Sequence, residues 1–139
     1  MIDNSWLAAK HIRWIALASI AIAVFHLLAE TVYTLRYGQT VVGYLPDLVA
    51  VGLLLVGGIV ALKDPRARGV LCGAWGFTCC LHYRAWAWRF EVVPGKSMDA
   101  VDETLLQVLG ATLAISVGFF VATLLLCVPK RFGVTRSKV

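Results

Sequence analysis

His26, Glu30, Cys79, His82 and Arg84 are the side chains of this chain whose types could do chemistry, and all five fall inside apolar stretches. Imidazole, carboxylate and thiolate are metal ligands, and imidazole and carboxylate also carry protons. The stretch from Gly69 to Glu91, GVLCGAWGFTCCLHYRAWAWRFE, concentrates this chemistry, with cysteines, a histidine, arginines and three tryptophans in one segment. An ionisable group at bilayer depth is costly and is usually kept for a reason.

Three arrangements suit these residues. In the first, Glu30 and Arg84 neutralise each other as an ion pair and each histidine satisfies a hydrogen bond inside a helical bundle. In the second, His26 and His82 face each other and ligate a haem iron axially, because bundle cores hold such cofactors. In the third, histidine, Glu30 and Cys79 make a small metal site. No pair of ligands has a diagnostic spacing, so the structural ion pair is the expectation and haem or metal the alternative. Sequence motifs for a phosphate loop, a paired-cysteine metal site or a nucleophile elbow are missing. An enzyme acting on a lipid or quinone with His26 as base therefore ranks below a structural or accessory subunit.

The elements that must position these groups follow from composition. Of 139 residues, 60% are hydrophobic and only 15% charged, with a mean hydropathy of +0.79, far from a soluble average. Four apolar stretches, Trp14 to Leu35, Leu48 to Leu62, Val70 to Trp88 and Leu105 to Val128, approach or exceed the roughly 20 residues a spanning helix needs. None shows the alternation that barrel strands require. The expected fold is an all-α, integral membrane four-helix bundle with up-down-up-down order, one transmembrane domain over residues 1–139. Its spans cover roughly 12–36, 46–63, 68–90 and 103–128. The second span reaches full length if Pro46 and Asp47 form its first turn. Asp64 is a helix cap beside Pro65, and Asp102 caps the last helix, with Glu103 in its first turn.

Charge fixes the orientation. The net charge of +5 suggests nucleic acid until the residues are placed on the four spans. Lys10, Arg13, Lys63, Arg66, Arg68, Lys130, Arg131, Arg136 and Lys138 then share one face with only Asp3 and Asp64. By the positive-inside rule both termini are cytoplasmic, and the protein belongs in a bacterial-type inner membrane. The basic tail meets lipid headgroups rather than nucleic acid. The first apolar run extends well past the loose cleavage-like Ala21-Ile22-Ala23, so it is read as an uncleaved anchor. The cysteines, all within spans, are packing residues rather than a disulfide framework.

Helical spacing sorts the remaining residues into faces. Ala16, Ser19, Ala23, His26, Glu30 and Tyr33 form one inward stripe of the first span. In the third span, Gly69, Gly73, Gly76 and Cys80 form a small-residue groove leading to Arg84 and Ala87, while Trp75, Cys79, His82, Trp86 and Arg89 form a second stripe. Gly57 and Ala61 make a minimal contact in the second span. Gly110, Ala114, Gly118 and Ala122 recur every four residues in the last, a pattern that asks for a close partner helix in this chain or in another subunit. With spans one and three parallel, a rise of 1.5 Å per residue puts His26 and His82 at one depth, roughly 20 Å from the cytoplasmic ends. Glu30 and Arg84 lie slightly further out. The partners expected are therefore the lipid bilayer and either a second copy or a larger membrane complex. A small proton- or solute-conducting oligomer is the third class, although four unbroken spans are few for a transporter.

Overall fold

The computed structural model describes residues 5–92 and 100–128. They form four α-helices: α1 (Ser5–Tyr37), α2 (Val41–Lys63), α3 (Arg68–Val92) and α4 (Ala100–Cys127), with a 3-10 turn at Pro65–Ala67. The described residues contain no strand.

Local chemistry sets the helix ends. α1 stops where Gly38 takes the left-handed conformation, φ +68°, and its N–H bonds the Thr34 carbonyl at 2.9 Å. Glycine is the residue that adopts this helix-ending geometry without strain. Two residues later the Thr40 hydroxyl accepts from the Gly43 N–H at 3.2 Å and caps α2. That cap starts α2 five residues before Pro46, so Pro46 and Asp47 do not form its first turn. Pro46 sits inside the helix, where its missing N–H removes one helical bond. Asp47 is consequently two turns within α2 rather than at its start.

At the other end, the Asp64 N–H bonds the Val60 carbonyl at 2.8 Å and its carboxylate accepts from the Arg66 N–H at 2.9 Å. One aspartate thus closes α2 and opens the turn that Pro65 begins. Asp102 lies within α4 instead of capping it. The Pro94-Gly95 turn, Lys96, Asp99, Asp3 and the basic residues from Lys130 onward fall outside the described residues.

Neighbours in sequence pack as antiparallel neighbours in space, α1 on α2, α2 on α3 and α3 on α4, with α1 and α4 meeting more loosely. Two adjacent glycines let α2 approach both of its neighbours. A methyl at Gly57 would stand 3.1 Å from the Leu71 Cα of α3, and one at Gly58 would stand 3.0 Å from the Ala16 carbonyl of α1. The inward stripe of α1 is real for Ala16, Ser19 and Ala23, all buried, while Tyr33 is exposed. Small residues and one large one make the core. Trp75 is fully buried, stacks on Phe119 of α4 with centroids 4.5 Å apart, and donates its indole N–H to Ser19 Oγ of α1 at 2.8 Å.

The outside is correspondingly apolar, with Phe25, Leu35, Val41, Val42 and Leu125 among the most exposed side chains. Apolar surface on this scale is costly in water. α1, α2 and α4 are each long and apolar enough to cross a membrane. α3 is long enough at 25 residues, but glycines, His82, Arg84 and Arg89 dilute its apolar content below that of the other three.

The two small-residue stripes behave differently from their sequence pattern. On α3, Gly76 packs against the Phe120 ring, whereas Gly69 and Gly73 border open space and Cys80 is exposed. On α4, Gly110 lies against the Trp86 indole, but Ala114 is exposed and Gly118 has nothing within 4 Å of an added methyl. Within this chain α4 instead packs by Thr112, Ser116, Phe119 and Thr123, a stripe of hydroxyls and a ring. Its hydroxyls bond carbonyls of their own helix and so carry no unpaired donor into the interface.

Candidate functional site

The polar groups between the helices gather in a layer to which all four helices contribute. α1 places His26 and Glu30 one turn apart on its inward stripe, and α2 brings Asp47 to them from across the interface. His26 Nε2 is 3.3 Å from Asp47 Oδ1 and 4.0 Å from Glu30 Oε1. The three side chains are partly buried, at 10%, 17% and 31% exposure for His26, Asp47 and Glu30. Just outward, Tyr44 donates its hydroxyl to Thr31 Oγ1 at 2.8 Å, because the single Thr31 proton goes to the Leu27 carbonyl. That bond ties α1 to α2 beside the cluster.

The His26 ring lies face to face with His82 of α3, with centroids 5.3 Å apart and planes 22° from parallel. His82 Nδ1 is in turn 2.6 Å from Ser116 Oγ of α4. Ser116 has one proton and donates it to the Thr112 carbonyl at 2.8 Å, so the bond from His82 requires a protonated Nδ1. In the neutral tautomer His82 Nε2 therefore carries the lone pair.

The layer accordingly has two halves joined by ring stacking: the carboxylates with His26, and His82 with the α4 hydroxyl. A stacked contact passes no hydrogen bond, which interrupts any proton path between the halves. It also argues against the haem arrangement. An imidazole binds iron along its nitrogen lone pair, in the plane of the ring, whereas these rings meet through their faces.

Two further expectations are corrected by the same geometry. Arg84 is exposed, and among the described residues no ion pair joins it to Glu30, whose neighbour is His26. The spacing that puts Arg84 in line with Gly73, Gly76 and Cys80 directs it away from α1. Cys79 is partly buried but stands outside the group of metal-capable side chains, which consists of His26, Glu30 and Asp47.

Asp47 is the residue that sequence reasoning missed as a site member. Its signal was a carboxylate adjoining an apolar run, and reading Pro46 as a helix start explained it away as a favourable first-turn charge. Among the described residues no buried side-chain nitrogen or oxygen lacks a hydrogen-bond partner. No protein-family model, curated protein or solved structure matches this chain.

Proposed function

We propose that the chain is a four-span membrane protein with both ends on the cytoplasmic side of a bacterial-type inner membrane, acting as an accessory or structural subunit that packs laterally against other membrane-embedded chains. The observation that supports four spans is the register of α3. Its contacts with α1, Trp75 to Ser19 and His82 to His26, each join residues 56 positions apart. A constant offset means that the two helices run parallel at matched depth. A bilayer that contains α1 along its length would contain α3 as well, and His82, one of the polar side chains that dilute α3, is shielded by that contact.

Two observations favour an accessory role over transport or catalysis. The buried polar groups are engaged with one another, and the apolar outer face of α4, with Val117, Val121 and Leu125, is left to lipid or a neighbour. The polar layer then specifies how the four helices pack.

Single cysteines in a cysteine-free background at Thr40, Arg66 and Glu103 test the topology through an impermeant thiol reagent. Labelling of 40 and 103 from the outer face and of 66 only from the cytoplasmic face is expected. Labelling of 103 from the same face as 66 would show that α3 does not cross.

A further inference from the structure

We propose that His26, Glu30 and Asp47 form a binding site for one divalent transition-metal cation in the outer half of the bundle, between α1 and α2. One imidazole nitrogen and two carboxylate oxygens from adjacent helices lie within 4.8 Å of one another. Bonds of about 2.0–2.2 Å hold neighbouring ligand atoms on a cation about 2.8–3.6 Å apart, the short end for octahedral and the long end for tetrahedral sites. His26 and Asp47 already stand at that spacing, 3.3 Å. Glu30, at 4.0 Å from the same nitrogen, needs only a rotation of its flexible side chain.

Charge supplies an independent reason. Two carboxylates are set at bilayer depth, and among the described residues the ion-pairing partner within 4 Å of either one is His26. Among the described residues, neither Arg84, which is exposed, nor Arg36, which lies over the Tyr37 ring, forms an ion pair with these carboxylates. With both carboxylates ionised the cluster carries more negative than positive charge, and such charge in a membrane is ordinarily neutralised by a partner. A divalent cation with neutral imidazole and two carboxylates balances to zero.

The donor set narrows the metal. Calcium and magnesium prefer six or more oxygens, and copper(I) prefers sulfur, whereas one imidazole and two carboxylates suit zinc, manganese, iron(II) or cobalt(II). The His82 ring, itself fixed on Ser116, stacks on His26 and limits its rotation. Three protein ligands leave coordination positions open, and both carboxylates are partly exposed. The site draws on α1 and α2 alone, so it stands or falls separately from the crossing of α3.

Cobalt(II) titrated into the purified full-length protein in detergent is the test. The expected result is one ion per chain, with visible d–d bands and no sulfur charge-transfer band in the near ultraviolet. His26→Ala, Glu30→Gln and Asp47→Asn should each weaken binding by more than about tenfold, the least an outer-shell partner costs, and Cys79→Ser should leave it unchanged. Absence of stoichiometric binding by the folded wild-type chain would overturn the site, as would full affinity in Asp47→Asn. X-ray absorption of the cobalt-loaded wild type keeps the test decisive if the variants misfold. A nitrogen and oxygen shell supports the site, and a sulfur shell refutes it.

Discussion

At the scale of single residues, Trp75 and Arg84 show how differently two bulky side chains of one helix are used. The Trp75 indole N–H is buried and its acceptor is Ser19 Oγ. Ser19→Ala should cost about 1–3 kcal/mol, the penalty for leaving a buried donor unpaired. Thermal unfolding in detergent would measure it. Arg84 is exposed, so Arg84→Gln should change stability by no more than about 0.5 kcal/mol, and a large loss would restore the ion pair with Glu30 that the geometry removes. The equal depth of His26 and His82 was legible by counting residues along two parallel helices. The Glu30 partner was not, because depth alone does not say which way a side chain points around its helix. Asp47 was hidden for another reason. A proline near the start of an apolar run normally begins a helix, and only the Thr40 cap upstream of it shifts the aspartate to the depth of His26.

Between elements, the closest approaches are made by α2. Gly58 is buried against α1, where an added methyl would stand 2.7 Å from Ile20 Cγ1 as well as near the Ala16 carbonyl. Ile20 can move but backbone cannot, so Gly58→Ala should lose about 1–3 kcal/mol through overpacking. Gly118→Ala meets open space on α4 and should be close to neutral in the same assay. Equal losses at the two positions would mean that α4 packs by its glycine stripe after all. The inward stripe of α1 could be read in advance because small and polar residues lie on one side of it and lipid-compatible ones on the other. α3 and α4 present small residues on more than one face, and there the periodicity does not choose. Fit chooses: the rings of Phe119 and Phe120 settle on Trp75 and Gly76, and that docking turns Ala114 and Gly118 outward.

For the whole molecule, an all-helical chain with helices apolar enough to span a membrane was evident from composition, whereas the standing of α3 was not, because its apolar content falls below that of the other three. The outward α4 face gives a prediction at this scale. Gly118→Leu should leave the helical content and the thermal stability of the isolated chain unchanged. If α4 is the lateral contact, the same variant should reduce association in native membranes, read as loss of cysteine cross-linking at Val121. Unchanged cross-linking would place the contact elsewhere. The matched offset between α1 and α3 also bears on how the protein is made. A segment with glycines, a histidine and arginines is a poor candidate to enter lipid alone, yet its indole and imidazole find waiting partners in Ser19 and His26. The α1–α2 hairpin, synthesised first and the more apolar, would then act as the receptor for α3 during biogenesis. If α3 spans as proposed, its retention in the bilayer would be a docking event as much as a partitioning one.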